Sequence, residues 1–422
     1  MLAHHFPPAG GSGSNRALAF ARYLPAFGWE PIVVTPGVEW AMHRDAELEG
    51  EIPSTVRVVR TRSFEPRPGH TPRPQAAIET WKPPKPTLLK SQLGHLRRFP
   101  DAHIGWLPFA VAAARGQRFD VAYSSSGPFT SHVAGLFVKR LTGKPWVVEL
   151  RDGWYRWNRS IFPDYPAWRD ALERRLEAAV IRTADRVVLV TERMADSFRD
   201  QYGDLAVDHF SVVSNGFDPS QFDDAPIQDK RAKTFVVLHA GALYYGRSLA
   251  AFLQGVRALA AVDSAFQADF VLRLLGTLDA AAQAEVARSG LSDCIEVLGH
   301  TSHAEAIAAM RSADALLLVA NTTPGAEATV PGKLFEYLAV GRPVLAVAPR
   351  ESATADVLRQ TGGGWLADVS DVNSIACTLR RAYTDRTAAI DKNALEAFDR
   401  RRLTRDLAVV LDKISADATR RL

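Results

Sequence analysis

The stretch AEATVPGKLFEYLAVGRPVLAVAPR, from Ala326 to Arg350, predicts a helix that leads directly into a buried strand. Pro331 suits the first helical position, Thr329 precedes it as a candidate cap, and Gly341 ends the helix. The apolar run from Val344 to Val347 is typical of a short strand in a parallel sheet. This part of the chain is therefore expected to have an α/β fold.

The first turn of the predicted helix is a candidate anion site. The N–H groups of Gly332 and Lys333 would point outward, with the positive end of the helix dipole behind them. Glu336 lies one turn further on, where its carboxylate can accept two hydrogen bonds from a vicinal diol such as a ribose. Phosphate and diol together indicate a nucleotide. A plain connecting helix with an exposed Glu is the alternative.

The segment VPGKLFEYLAVGRPVLA resembles the donor-binding signature of retaining glycosyltransferases of family 4, which have the two-domain GT-B fold. In that family a Glu and, after seven intervening residues, a second Glu occupy this segment, and the second holds the nucleotide ribose. Glu336 matches the second position, whereas the first falls on Ala328. The resemblance implies that either Glu327 shifts in by one residue or backbone N–H groups alone recognise the sugar. The donor-binding residues implied in this segment are Glu327, Val330, Gly332, Lys333 and Glu336.

The composition fits two ordinary globular domains. The chain has 422 residues, of which 47% are hydrophobic and 23% charged. Its formal net charge of +4 suits anionic substrates or an anionic membrane surface, but is too small to indicate nucleic acid as a partner. Cys294 and Cys377 show no metal-type spacing, which favours a reducing cytoplasm.

Membrane association is expected to be peripheral at most. The sequence has no run of about 18 uncharged apolar residues and no signal-peptide pattern at its start. Residues 63–100 form an irregular basic, proline-rich insertion whose tail has a basic amphipathic pattern. That tail either lies on a membrane or packs on its own domain. The expected location is the cytoplasm, with a possible site at the inner face of the membrane.

The beginning of the chain reads as a strand, a glycine-rich loop, a helix and a second strand, which is a βαβ unit. Gly10, Gly11, Ser12 and Gly13 form the loop, and the glycines allow a ligand to approach the backbone closely. Their spacing differs from the G-x-G-x-x-G of dinucleotide enzymes. In GT-B enzymes this loop lies against the donor phosphates and the acceptor, which the resemblance implies here.

A second candidate region follows the predicted strand Trp146 to Leu150. It ends in Arg151 and Asp152, at the edge of a parallel sheet where open α/β folds bind ligands. The segment ELRDGW resembles the family's strand-end motif, in which a His commonly precedes the Asp near the reacting sugar. Arg151 occupies that place, so Asp152 and Arg151 are the candidate catalytic residues. An ion pair that caps the loop is the alternative.

The second half repeats the pattern of strand, small-residue loop and helix. The strand Phe235 to Ala240 leads into a loop that starts at Gly241 and contains Arg247. In the family this loop carries basic side chains that clasp the donor diphosphate. Arg247 matches the second basic position, whereas the first falls on Ala242. The resemblance therefore implies a larger part for Arg247 and Lys333, no metal and no cofactor.

The resemblance implies two Rossmann-like domains facing a cleft, the GT-B architecture. Residues 1–217 are expected to form the acceptor-side domain, 218–233 a linker and 234–395 the nucleotide-sugar donor domain. Residues 396–422 are expected to form a helix that returns to the first domain. The expected partners are a nucleotide sugar and a glycan or lipid-linked acceptor.

The expected activity is that of a hexosyltransferase of the EC 2.4 class. It would move a hexose from the nucleotide-diphosphate sugar to the acceptor with retention of configuration, in surface polysaccharide assembly. A sugar-nucleotide epimerase of the same fold is one alternative, although it would require acid and base carboxyls that the sequence does not identify. A non-catalytic sugar-nucleotide-binding subunit is another, given Ala242 and Ala328 at two usual contact positions.

Overall fold

The computed structural model of the chain describes residues 1–41, 44–65, 94–154, 166–222, 234–243, 247–299 and 301–420, without the side chain of Ser12. The chain divides into two compact units, one of Met1–Ser214 with Leu403–Leu422 and one of Asn215–Arg402. Most of the predicted insertion lies outside the described residues. So does His300, which is a candidate contact for a nucleotide base in the sequence.

The first unit alternates strands and helices along the chain. Its strands are β1 (Ile32–Pro36), β2 (Arg57–Thr61), β3 (Ala122–Ser125), β4 (Trp146–Leu150), β5 (Arg186–Leu189) and β6 (Phe210–Val212). Its helices are α1 (Ser12–Tyr23), α2 (Ala46–Gly50), α3 (Leu107–Arg115), α4 (Thr130–Thr142), α5 (Ala167–Thr183) and α6 (Glu192–Gln201).

All strand pairs of the first unit are parallel within the residues described. β1 pairs with β2, and β3 to β6 form a second set in chain order. Leu2 bridges both Val34 of β1 and Ser124 of β3, which joins the two sets into one sheet. The segment that begins the chain is therefore a central strand of this sheet, and the residues after it emerge at its carboxyl edge.

The core of the first unit includes part of the last helix, α15 (Arg400–Arg420). Leu403, Leu407, Leu411 and Ile414 recur at helical spacing and belong to one buried cluster with residues of the sheet and of α1. The indole N–H of Trp29 donates to Asp412 Oδ1 at 2.9 Å. The residues from Leu403 onward are thus an integral layer of the first unit.

The second unit has the same alternation. Its strands are β7 (Phe235–Ala240), β8 (Phe270–Leu275), β9 (Ile295–Gly299), β10 (Ala315–Val319), β11 (Val344–Ala348) and β12 (Gly364–Asp368). Its helices are α7 (Ala250–Ala260), α8 (Ser264–Asp269), α9 (Ala280–Arg288), α10 (His303–Ser312), α11 (Gly332–Val340), α12 (Ala353–Thr361), α13 (Val372–Asp385) and α14 (Lys392–Glu396).

The strands of the second unit form one parallel sheet in the order β12-β11-β10-β7-β8-β9. Alternate residues of β7 belong to different cores, since Phe235 and Val237 pack on one face and Val236 and Leu238 on the other. A strand covered on both faces reads as a continuous apolar run. The predicted α/β class with parallel sheets is confirmed.

Two predicted strands, Trp146–Leu150 and Phe235–Ala240, have the observed bounds. One detail of the opening stretch differs. α11 begins at Gly332, so Pro331 precedes the helix, and the Thr329 hydroxyl donates to the Ala326 carbonyl at 3.1 Å and caps nothing. None of the described helices is both long and apolar enough to cross a bilayer.

Candidate functional site

The glycine-rich loop of the first unit leads into α1. Gly11 has a φ of +107°, in the region that favours glycine, and is the last residue before the helix. Gly13 lies against the end of the Arg151 side chain, because a Cβ built on Gly13 would be 2.9 Å from an Arg151 guanidinium nitrogen. Gly10 lines a cavity of about 160 Å³ beside this loop. The structure therefore brings the loop and the predicted strand-end residue together.

Arg151 is held by the turn that follows β3. Its backbone N–H donates to Ser126 Oγ at 2.9 Å, and its Nε donates to the Ser126 carbonyl oxygen. Burial lowers the pKa of the guanidinium, while the carboxylates of Glu149 and Asp152 act in the opposite direction. Arg151 thus supplies a positive charge close to the backbone of the first loop, and Asp152 follows it at the end of β4.

A buried ion pair that the sequence analysis missed joins α1 to the end of β4. Arg16 Nε donates to Glu149 Oε1 at 2.8 Å, and Ser125 Oγ donates to the other oxygen at 2.5 Å. Burial would raise the pKa of Glu149, but the nearby guanidinium groups lower it below its usual value. Glu149 is therefore ionised. Its signal in the sequence was a single acid inside the apolar strand WVVEL.

A second missed group lies beside the same cavity. His4 Nε2 lies 3.3 Å from Glu65 Oε1, and His103 Nδ1 lies 2.8 Å from Glu65 Oε2. Burial alone would raise the pKa of Glu65, but the hydrogen bonds with the two imidazoles lower it to about 2. The three residues come from distant segments, so their sequence spacing gives no sign of the group.

A larger cavity of about 540 Å³ lies in the first unit at the amino ends of β1 and β3. Residues that line it include Ile32, Ala122 and Leu411 of α15. It contains none of the predicted site residues. Because ligands of open α/β sheets bind at the carboxyl ends of the strands, we assign no function to it.

In the second unit, two of the predicted donor residues, Gly241 and Lys333, meet at the carboxyl end of β7. Gly241 follows this strand with a φ of +138°, and a Cβ built there would lie 3.1 Å from Lys333 Cε. Gly276 follows β8, where a Cβ would be 2.5 Å from the Gly241 carbonyl oxygen. Two strand-end loops thus approach each other with only backbone between them, and the Lys333 side chain lies over the first.

The start of α11 is open to an anion. Its N-cap is Pro331, which has no side-chain acceptor, whereas Ser302 and Ser352 cap the neighbouring helices α10 and α12. Lys333 Nζ lies 3.2 Å from Glu336 Oε2, and the lysine side chain is 40% exposed. A cation, helical N–H groups that no described side chain caps and a carboxylate therefore lie within one helical turn, as a diphosphate and a ribose require.

Tyr337 fixes this helix against β7 and was missed by the sequence analysis. Its hydroxyl accepts a hydrogen bond from the Ala240 N–H at 2.8 Å and donates to the Ala240 carbonyl at 3.1 Å. Burial raises the pKa of this hydroxyl, so it stays protonated and can do both. The residue before Gly241 is thereby tied to the helix that carries Lys333.

The other predicted donor residues have different surroundings. Arg247 carries a charge that acts on Tyr337 and His239, which places it near the same strand end. The Glu327 carboxylate accepts from the Gly325 N–H at 2.9 Å and so closes its own turn. Val330 is 4% exposed and packs in the core below α11. In this structure Glu327 and Val330 support the segment, and their side chains do not join Lys333 and Glu336.

His239, on β7, is a buried histidine beside the same loop. Its Nδ1 lies 2.9 Å from the Leu317 carbonyl oxygen. Burial lowers its pKa to about 4, and the positive charges of Arg247 and Lys333 act in the same direction. The imidazole is therefore neutral at pH 7 and donates from Nδ1 to the carbonyl.

Lowering the pH from 7 to 5 is expected to destabilise the parent chain by about 2 kcal/mol more than His239→Asn, which can still donate to Leu317. The unfolded chain takes up a proton near pH 6.5, whereas folded His239 does so only near pH 4. The free energy of unfolding that neutral His239 contributes is therefore fully present above pH 6.5, and it is lost as the pH falls toward 4. Urea denaturation followed by circular dichroism at both pH values measures it. His303→Asn, at an exposed histidine, should behave like the parent, and equal pH dependence in all three chains would contradict the prediction.

Two family models match the chain in sequence. A glycosyl transferase 4-like domain matches residues 11–216, and a glycosyl transferases group 1 domain matches residues 234–385. Among the curated proteins, no sequence matches this chain. The two matched ranges correspond to the two alternations of strand and helix described above.

Solved structures of similar fold cover nearly the whole chain. HepE from Anabaena in complex with UDP is 16% identical with a TM-score of 0.62, and the match covers 98% of each chain. Sucrose-phosphate synthase from Thermosynechococcus elongatus is 17% identical with a TM-score of 0.59, over 99% of this chain and 96% of the other. The lipopolysaccharide outer core galactosyltransferase WaaB, in its apo form, is 13% identical with a TM-score of 0.59, over 97% and 98%.

These identities are low, so the structural likeness shows the fold alone, and the predicted GT-B fold of two Rossmann-like domains is confirmed. Membership of a family is shown by the matches of the two family models to the sequence. The first model ends before β7 and the second begins one residue before it, so each covers one of the two sheets. The chain belongs to the glycosyltransferases, with a glycosyl transferase 4-like domain followed by a group 1 domain.

Proposed function

We propose that this glycosyltransferase moves a hexose from a nucleotide-diphosphate sugar to a glycan or lipid-linked acceptor, with retention of configuration. The observation that carries the donor part is the group at the end of β7, where Lys333 lies over Gly241 at the uncapped start of α11. HepE, which shares the fold, has been solved with UDP and with UDP-glucose. A uridine diphosphate sugar is therefore the first donor to test.

The proposed chemistry depends on charge at the leaving group. When the bond between the sugar and the diphosphate breaks, negative charge develops on the diphosphate. Positive groups already in place stabilise that charge most effectively. This negative charge would be stabilised by the side chains of Lys333 and Arg247 and by the N–H groups of Gly332 and Lys333, without a metal at this site. On donor binding, the Lys333 ammonium would exchange its ion pair with Glu336 for one with the phosphate. The Glu336 carboxylate would then accept hydrogen bonds from the ribose.

The acceptor is assigned to the first domain. Its glycine-rich loop and Arg151 lie together at the carboxyl edge of the sheet, and Asp152 follows in the same turn. The retaining course and the family 4 membership rest on the resemblance of the α11 segment and of ELRDGW. Assembly of a surface polysaccharide at the inner face of the membrane is the proposed setting, and the basic tail of the insertion would make a peripheral contact there.

Thermal unfolding with UDP, GDP and ADP, each tested separately, is the first test of the donor site. A nucleotide at about one hundred times its dissociation constant adds roughly 2.7 kcal/mol to the free energy of unfolding. We expect one nucleotide to raise the melting temperature of the parent and to lose this effect in Glu336→Ala, because the ribose contact is gone. Glu396→Ala, at an exposed acid of α14, is the matched control and should respond like the parent.

The outcome separates the three functions considered. No stabilisation by any of the nucleotides in a folded protein would refute the donor site. If one nucleotide binds, release of that nucleotide only in the presence of an acceptor supports the transferase. Interconversion of sugar nucleotides without an acceptor would indicate an epimerase, and binding without turnover a non-catalytic subunit.

A further inference from the structure

His4, Glu65 and His103 converge at the carboxyl edge of the first sheet from three separate segments. His4 follows the central strand segment at Leu2, Glu65 follows β2, and His103 precedes α3. One possible ligand atom from each residue lies within 4.8 Å of the other two. His103 Nδ1 lies 2.8 Å from Glu65 Oε2, and His4 Nε2 lies 3.3 Å from Glu65 Oε1.

The surrounding structure holds each of these side chains in place. Ser63 Oγ donates to Glu65 Oε1 at 2.9 Å, and the His103 backbone N–H donates to Asp101 Oδ1 at 2.9 Å. The His4 ring packs edge-on against Trp106, which is fully buried, with 5.2 Å between ring centroids. The cluster is thus a fixed polar group against an apolar wall.

We propose that His4, Glu65 and His103 form a binding site for a divalent transition-metal ion of the Zn²⁺ type. Zn²⁺ binds imidazole nitrogen and carboxylate oxygen at about 2.0–2.2 Å in a tetrahedron, so that neighbouring ligand atoms are roughly 3.3 Å apart. The 3.3 Å between His4 Nε2 and Glu65 Oε1 matches this value, whereas the 2.8 Å between His103 Nδ1 and Glu65 Oε2 is shorter and would lengthen when an ion replaces the hydrogen bond. Two imidazoles with one carboxylate favour Zn²⁺ or a similar ion over Mg²⁺ and Ca²⁺, which prefer oxygen ligands.

The described residues supply three ligands, so a tetrahedral ion would take a fourth from elsewhere. His4 and His103 also line the cavity of about 160 Å³ beside the glycine-rich loop, together with His5 and Gly10. The His5 ring centroid lies 5.2 Å from that of His4 and 6.0 Å from that of His103. A water molecule or a hydroxyl group in the cavity, which His5 also lines, can occupy the fourth position. The residues of this metal site all belong to the first unit, whereas Lys333 and Glu336 belong to the second.

The alternative without a metal is an ion pair in which Glu65 accepts hydrogen bonds from the two imidazoles. Both arrangements place the same atoms about 3 Å apart. They differ in whether a metal ion added to the folded chain is captured with defined stoichiometry. Direct metal binding therefore decides between them.

The full-length chain is freed of metal with a chelator and titrated with Co²⁺, followed by its visible absorption, and with Zn²⁺, followed by calorimetry. We expect one ion per chain. His103→Ala and Glu65→Gln should each weaken binding by at least the 10- to 100-fold that loss of an outer-shell partner costs. Glu65→Gln keeps the size and hydrogen-bonding shape of the side chain, so it tests the site even if His103→Ala folds poorly.

His209→Ala is the matched control, because His209 Nε2 lies 2.9 Å from the Ile181 carbonyl and is not part of the cluster. This variant should bind the ion like the parent. Absence of stoichiometric binding in the parent would overturn the proposal in favour of the ion pair. So would binding that Glu65→Gln leaves unchanged.

Discussion

Replacing Glu149 with Ala is expected to lower the free energy of unfolding of the first domain by about 3–5 kcal/mol. The carboxylate is fully buried and accepts from Arg16 at 2.8 Å and from Ser125 at 2.5 Å. Without it, the buried Arg16 guanidinium would lose its ion pair with Glu149, while neutral acceptors such as the Val213 carbonyl at 2.8 Å would remain. A buried charge that loses an ion pair is costly because water cannot reach it to replace the lost interaction.

Urea denaturation followed by tryptophan fluorescence measures this effect in the right domain. Eight of the nine tryptophans precede residue 170, so the fluorescence change reports chiefly on the first domain. Glu51→Ala is the matched control. It removes the partly exposed ion pair, of 2.6 Å, between Glu51 and Arg22, which lies on α1 like Arg16. Pairs of that kind contribute about 0–1 kcal/mol. If Glu149→Ala loses no more than Glu51→Ala, the proposed importance of the buried pair is wrong.

A double variant tests the cause of the loss. In Arg16→Met with Glu149→Leu, both charges leave together and apolar groups of similar size replace them. Such replacements of a buried pair are often neutral or stabilising. We therefore expect the double variant to be less destabilised than the sum of the two single changes. Additive losses would mean that packing, and not the charge that loses its ion pair, accounts for the effect of Glu149→Ala.

The sequence predicted the architecture well because local patterns determine it. β10 is an apolar run of five residues and β7 is apolar except for His239, and a strand buried on both faces requires such a run. The observed end of an element differs from the predicted one where two local signals in the sequence compete. Pro331 suits either the first helical position or the residue before it, and the structure places it before the helix.

The candidate site was predicted only where glycine or helix-start signals mark it, as at Gly241 and Lys333. Contacts between residues far apart in the chain carry no local signal. Tyr337 bonds to a residue 97 positions away, and Arg16 to one 133 positions away. Glu65 meets His103 and His4 at separations of 38 and 61 residues. The order of the strands in the sheets determines which distant residues come into contact. The residue pattern of a single segment holds no information on that order.

Replacing Lys333 with Met is expected to lower the turnover of the sugar nucleotide by about 10²- to 10³-fold, the loss typical for one preorganised donor to a developing negative charge. The side chain crosses Gly241 and ends 3.2 Å from Glu336, at the open start of α11. With Ala242 at the family's first basic position, Lys333 and Arg247 are the cations proposed for the diphosphate. Met keeps the apolar contact with Gly241 and removes only the charge.

The measurement is the rate of nucleotide release at saturating donor, together with the dissociation constant of the free nucleoside diphosphate. Lys392→Met, at an exposed lysine of α14, is the matched control and should leave both unchanged. A fall in kcat that exceeds the loss of affinity would mean that Lys333 acts mainly as charge develops on the leaving group. Equal losses in binding and in kcat/KM, with kcat unchanged, would mean that it only holds the substrate. If Lys333→Met turns over like the parent, the diphosphate is not bound at the start of α11, because no cation at that position could be removed without consequence.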